Sequence, residues 1–186
     1  MLCVIAMMLP TCVSATSDTD YMAQMIQAAT VQDTESGRIA EESRNEKIDS
    51  LGLEYKKISY DELVLLAKII QAEAGAYWLT DEHQRLVGSV VLNRVNSPEF
   101  PNTLEEVIYQ KGQYYGTGTK WFAKLCPTER AVRNALYILE NGSITPNSVV
   151  FQANFKQGSG TWLRITDKVL GSTYFCYSSR MELYER

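Results

Sequence analysis

The sequence predicts an α+β fold, a compact helical body followed by a small antiparallel sheet, and three observations lead there. Between Ser59 and Gly142 apolar residues recur at helical spacing behind recognisable caps. After Pro146 the chain turns to short runs rich in β-branched and aromatic residues, "SVVFQANF", "TWLRIT" and "STYFCYS", separated by glycine and serine. Helices gathered first and strands gathered last argue against an alternating α/β sheet.

The opening "MLCVIAMMLPTCVSATSD" is an apolar run closed by the small tripeptide Val13-Ser14-Ala15, so residues 1–15 are expected to be an export segment. The basic front region of such signals is absent, and a short membrane-tethered start is the alternative. Thr11 before Cys12 is a poor match to a lipoprotein site. Residues 16–57 are polar and densely charged and are read as a linker, a frayed helix or flexible spacer with too little apolar surface to offset its ordering entropy. Residues 58–186 are expected to form the catalytic domain.

Within that domain "SYDE", Ser59 to Glu62, has the form of a capping box. Leu63, Leu66, Ala67, Ile70 and Ala74 follow at helical spacing, predicting a helix from Tyr60 to about Ala74 with Gly75 placed to end it. Thr80 caps a second helix through "DEHQRLVGSVVLNRV", with Val87, Val90, Val91 and Val95 on one face. "NTLEEVIYQ" repeats the capping form at Thr103 and Glu106, and "PTERAVRNALYILENG" gives a fourth helix ended by Asn141-Gly142. "KQGSGTW" is a candidate hairpin turn in the sheet.

Charge narrows the partners. Of 18 basic and 22 acidic residues, 5 and 9 precede Ile58, leaving 13 of each in the body. A neutral body offers no cationic surface for a polyphosphate, which argues against nucleic acid and for an uncharged or weakly charged polymer. With one histidine, and with Cys3 and Cys12 in the front segment apart from Cys126 and Cys176, no metal signature or cofactor is expected.

Glu73 is the residue that does not fit a purely structural helix. It projects between Ile69 and Ile70, over Leu66, at the edge of the apolar stripe. It also falls in the last turn, where the negative end of the helix dipole disfavours an anion. Desolvation acts in the same direction, so the carboxyl is expected to hold its proton to higher pH, as a general acid must. A surface glutamate or the partner of a buried cation is the plainer alternative.

The stretches "LAKIIQAEAG" and "GSVVLNRVNSPEFPNTLEEVIYQKGQY" resemble the cell-wall hydrolase family typified by the catalytic domains of spore-cortex-lytic enzymes, over about Glu62 to Ser178. The resemblance implies a peptidoglycan lytic transglycosylase or glycoside hydrolase acting on glycan strands, with a compact α+β fold related to lysozyme-like transglycosylases. Its catalytic glutamate falls on Glu73. Two departures are present: "GAYWLTDEH" follows that glutamate where many members carry glycine, arginine and a second glutamate, and "GSTYFCY" lacks a histidine that relatives often have.

Glycosidic cleavage usually uses two carboxyl groups. Asp81, Glu82 and Glu99 are the candidates for a second; the first two sit at a helix start and the third reads as a surface loop residue, so a one-glutamate mechanism is favoured. Tyr109, Gln110, Gln113 and Tyr114 in "YQKGQYYG" supply the flat faces and mixed donors and acceptors of a sugar groove. Asn93 is a further glycan-binding candidate that could instead buttress the loop. Phe151, Phe155, Trp162 and Phe175 read as core. The rival readings are a wall-binding module without turnover and a peptidase pairing His83, at a helix start suited to capping or surface, with Cys126 or Cys176. Those two cysteines could alternatively form a disulfide or stay free.

Overall fold

The computed structural model describes residues 18–52 and 54–184, which form seven α-helices and a three-stranded antiparallel sheet near the C-terminus. The expected export segment over residues 1–15 lies outside the described residues. The helices are α1 (Asp18–Val31), α2 (Thr34–Leu51), α3 (Tyr60–Ala74), α4 (Asp81–Val95), α5 (Leu104–Tyr109), α6 (Lys120–Ala123) and α7 (Glu129–Asn141). The strands are β1 (Val149–Ala153), β2 (Thr161–Asp167) and β3 (Gly171–Tyr177). Among the described residues no helix is long and apolar enough to cross a membrane.

Four helices start where their caps put them. The side chains of Ser59, Thr80, Thr103 and Thr128 accept from the backbone N–H groups of Glu62, His83, Glu106 and Ala131, which no turn of helix can otherwise satisfy. The next backbone donor is served by a tertiary contact: the Tyr60 N–H donates to the Glu41 carboxylate on α2 at 2.7 Å. Gly75 closes α3 in an ordinary right-handed conformation, φ −77°. Its need for glycine is spatial, since a Cβ there would lie 2.2 Å from the Gln71 carbonyl.

The core is built around α3. Leu63, Leu66, Ala67, Ile69 and Ile70 are wholly enclosed, and α3 packs against both α4 and α7. Truncating one of these leucines to alanine costs about 2–5 kcal/mol, through lost burial and the cavity left behind.

The stretch expected to be a spacer over residues 16–57 is instead, from 18 to 51, a helical hairpin packed on α3 and α7. Its buried residues are mostly small or flexible: Met22, Met25, Ala28, Ala29, Ala40. Close approach takes the place of bulk. Gly37 lies so near Tyr60 that a Cβ would sit 2.2 Å from the ring. Buried Arg44 ties the hairpin together through Asp18 at 2.6 Å and the Lys56 carbonyl at 3.1 Å.

Strand order is β1-β3-β2. "KQGSGTW" is therefore a crossover from β1 past β3 to β2, not a hairpin turn. The tight hairpin joins β2 to β3 through Asp167–Gly171, where the Asp167 carboxylate accepts from Val169 N–H and Leu170 N–H, both at 2.8 Å. Helix α4 crosses one face of the sheet, placing Leu86 and Val90 against Val149 and Phe175. Trp162 is half-buried against that cluster, and Phe151 is half-buried with its ring 6.3 Å from Phe100. Phe155, expected in the core, is 60% exposed because it follows the end of β1 and no longer alternates with the strand.

Candidate active site

Helix α3 delivers Glu73 from its last turn to the edge strand β1. There Gln152 Nε2 approaches the Glu73 carboxylate oxygen Oε2 at 3.4 Å. Counted over the whole residue Glu73 is exposed, yet protein crowds its carboxyl. Burial pushes the carboxyl above its ordinary range, and the positive charge of Arg94 pulls it part of the way back.

Arg94 is a buried cation fixed to the same strand. It is 4% exposed, its Nε donates to the Val150 carbonyl at 2.7 Å, and its guanidinium lies 5.1 Å from the ring centres of both Phe100 and Tyr114. Its Nη1 is buried without a hydrogen-bond partner, as are the Tyr114 hydroxyl and the Gln152 side-chain oxygen. Burial raises the Tyr114 hydroxyl's pKa, with Arg94 opposing and Glu73 reinforcing. Unpaired buried polar atoms are few in folded proteins and costly to keep. Three of them surround one carboxyl whose proton affinity is raised, a combination that marks functional sites more often than scaffolding.

The other sequence candidates are dispersed. Tyr109 lines a hollow with Asp61, Leu65 and Lys68, beside the first half of α3 and away from the end that carries Glu73. Gln110 caps α5 half-buried, with its side-chain oxygen unpaired, and Gln113 is exposed. Asn93 is 2% exposed, and its amide donates to Thr145 Oγ1, the Pro146 carbonyl and the Val149 carbonyl at 2.8–2.9 Å, which makes it the buttress joining α4 to β1.

The possible second carboxylates are engaged or remote. Asp81 pairs with Arg130 at 2.6 Å and accepts from Asn134, contacts that hold its carboxyl below the usual range. Glu82 is exposed at the start of α4. Glu99 is not the surface residue that its loop position suggested: it accepts from the hydroxyls of Ser178 and Tyr184, fastening the C-terminal turn. His83 is buried rather than at the surface, its ring 5.9 Å from Phe175, and burial lowers its pKa. Cys176 follows Phe175 on β3 and so points to the opposite face of the strand. Cys126 is exposed and both thiols are free.

Residues 80–176, just over half of the chain, match the model of the family described as cell wall hydrolase. The chain belongs to that family. No curated protein and no solved structure matches it. The cell-wall hydrolase thus acts on peptidoglycan. The matched segment contains Arg94, Tyr114 and Gln152, while Glu73 lies just ahead of it. Sequence reading found Glu73 but missed Arg94 and Gln152. A signal for Arg94 did exist, since it continues the stripe of Val87, Val90 and Val91 at helical spacing and is buried with them.

Proposed function

We propose that the hydrolase cleaves the β-1,4 glycosidic bonds of peptidoglycan glycan strands as a lytic transglycosylase, with Glu73 as its single general acid and base. Glu73 donates its proton to the oxygen of the departing sugar as the C1–O bond breaks. The resulting carboxylate takes the proton from the muramic acid 6-hydroxyl, whose oxygen bonds to C1 and closes a 1,6-anhydro ring. Glu73 is protonated again at the end, and no water is consumed.

The observation that carries this reading is the Glu73 carboxyl held above its ordinary range by burial, beside a buried guanidinium that can receive its negative charge between the two transfers. Among the described residues, Asp81 and Glu99 already have partners, which favours the one-glutamate route over water attack assisted by a second carboxylate. The small-residue sequence Val13-Ser14-Ala15 supports export to the wall.

The test is Glu73→Gln, which keeps the shape and an acceptor for Gln152 but has no proton to give. Mass spectrometry of fragments released by the native enzyme should find 1,6-anhydromuramic ends. The folded variant should bind wall and release nothing. Wild-type solubilisation by that variant would remove Glu73 from the mechanism, and reducing ends from the native enzyme would replace the internal hydroxyl with water.

A further inference from the structure

Strand β1 is not regular, and its irregularity decides what faces Glu73. Val149 pairs with Tyr177 and Gln152 with Phe175, across a register shift between Val149 and Phe151 in which β1 advances two residues while β3 advances one. That is a β-bulge, a feature that recurs beside active sites because it re-aims a side chain. Its effect here follows from the period of a strand, in which residues three apart point to opposite faces. Val149 and Phe175 are packed in the cluster beneath α4, with Tyr177 against it, so both pairs lie on the α4 side. Val149 and Gln152 are three apart and yet share that side. Without the extra residue Gln152 would turn away from α4, and its contact with Glu73 would be lost.

Helix α4 pins the bend. Its neighbours Asn93 and Arg94 donate to the carbonyls of Val149 and Val150, the first residues of β1, at 2.9 and 2.7 Å. Gln152 therefore stands on a backbone fixed from two directions, by β3 and by α4. Its side chain is half-buried, its Nε2 donates to Glu73 Oε2 at 3.4 Å, and its Oε1 is buried with no partner of its own. No second bond dictates which way the amide faces; the contact with Glu73 does. Turned over, the amide would set oxygen against oxygen and repel the carboxylate.

An N–H at Oε2 has a consequence for the acid proton. Of the two oxygens of a protonated carboxyl the one without the proton is the better acceptor, so a donor at Oε2 favours the proton on Oε1. We propose that Gln152, aimed by the bulge, is a positioning residue that keeps the Glu73 proton on Oε1, the oxygen left for the substrate, and steadies the carboxylate once that proton has gone. This rests on the reading of Glu73 as the acid and base. The bond from Oε1 to its proton breaks as the proton joins the oxygen of the departing sugar, and Oε1 receives the 6-hydroxyl proton when the anhydro ring closes. Oε2 keeps its donor throughout. The contact is long, as catalytic hydrogen bonds commonly are before substrate binds, and it shortens as charge develops on the carboxylate.

The test follows cleavage of soluble, peptide-free glycan strands across pH. Gln152→Met keeps the length of the side chain but has no N–H. It should lower kcat about tenfold with little change in KM, and it should move the alkaline limb to higher pH, because the lost donor had favoured the ionised form. Gln152→Glu supplies an O–H donor only while both carboxyls are protonated, so its activity should return toward native as pH falls, whereas Gln152→Met stays low. Thermal melts establish folding, and rates are taken per folded molecule. If Gln152→Met does not fold, the acid recovery of Gln152→Glu decides alone. Native kcat with an unmoved limb in Gln152→Met overturns the proposal. So does a loss of equal size in both variants at every pH, which is what a purely structural contact would give. A failed Glu73 reading shows elsewhere: Glu73→Gln, with Gln152 intact, would still cleave the strands.

Discussion

Asn93 and Arg94 are neighbours on α4, both buried and both hydrogen-bonded to the backbone of β1, yet their surroundings differ in kind. Around Asn93 the amide hydrogens meet three acceptors and no polar atom of that side chain lies buried without a partner. Around Arg94 one bond to Val150 is made while Nη1, the Tyr114 hydroxyl and the Gln152 oxygen remain without partners, with Glu73 beside them. A closed set of partners fixes one geometry and belongs to the scaffold. An open set costs stability, and a fold keeps it where something must still arrive.

The largest effect that could break this contrast is catalytic. Glu73→Gln should lower the rate of glycan cleavage about 10²–10⁴-fold, the range general acid–base catalysis supplies, measured by release of soluble muropeptides. Asn93→Ala should behave in the opposite way. It leaves the Val149 carbonyl without its side-chain donor, while the Pro146 carbonyl keeps the Val149 N–H and Thr145 Oγ1 keeps Ser143, so the loss should appear as about 1–3 kcal/mol of stability in denaturant titration, with activity per folded molecule retained. If Asn93→Ala abolished activity in a fully folded protein, Asn93 would belong to the groove after all.

A finer separation comes from pH. Arg94 stabilises the Glu73 carboxylate, so Arg94→Met should raise the carboxyl's pKa further and move the alkaline limb of the activity profile to higher pH, because the acid must be protonated to act. Arg94→Lys keeps the charge and should leave the limb close to its native position while disturbing the bond to Val150. An unmoved limb in Arg94→Met would show that the guanidinium does not bear on Glu73.

How much of this could be read in advance depended on range. The starts of α3, α4, α5 and α7 were legible because a capping hydroxyl and the N–H it serves are three residues apart. The α1–α2 hairpin was not, because its packing relies on Ala29, Ala40 and the bare Cα of Gly37 against Tyr60, residues that carry little hydrophobic signal of their own. "KQGSGTW" has turn chemistry, but local chemistry cannot tell a crossover from a hairpin when the partner strand comes later in the chain. The site divides in the same way: Glu73 announced itself by breaking an apolar period, whereas Gln152 has meaning only once β1 is laid beside α3.

The smallest effect is on stability, and its sign tests the idea that the open cluster is kept at a cost. Glu73 has a folded-state pKa raised above its reference value of 4.5, so between the two values the native protein binds more protons than the unfolded chain. Stability from this group is therefore fully present below the unfolded pKa and is lost as pH rises through the folded one. Gln cannot ionise and loses nothing over that window. The Gln variant should match the native protein at acidic pH and become the more stable of the two near neutrality. Because the glutamate is partly open to water, solvent screening keeps the difference below about 1 kcal/mol. Paired denaturant titrations from acidic to neutral pH would measure it. A native protein that gained on the variant as pH rose would mean that the ionised carboxylate is better held in the fold than in water, which would exclude the raised pKa on which the proton-donor role depends.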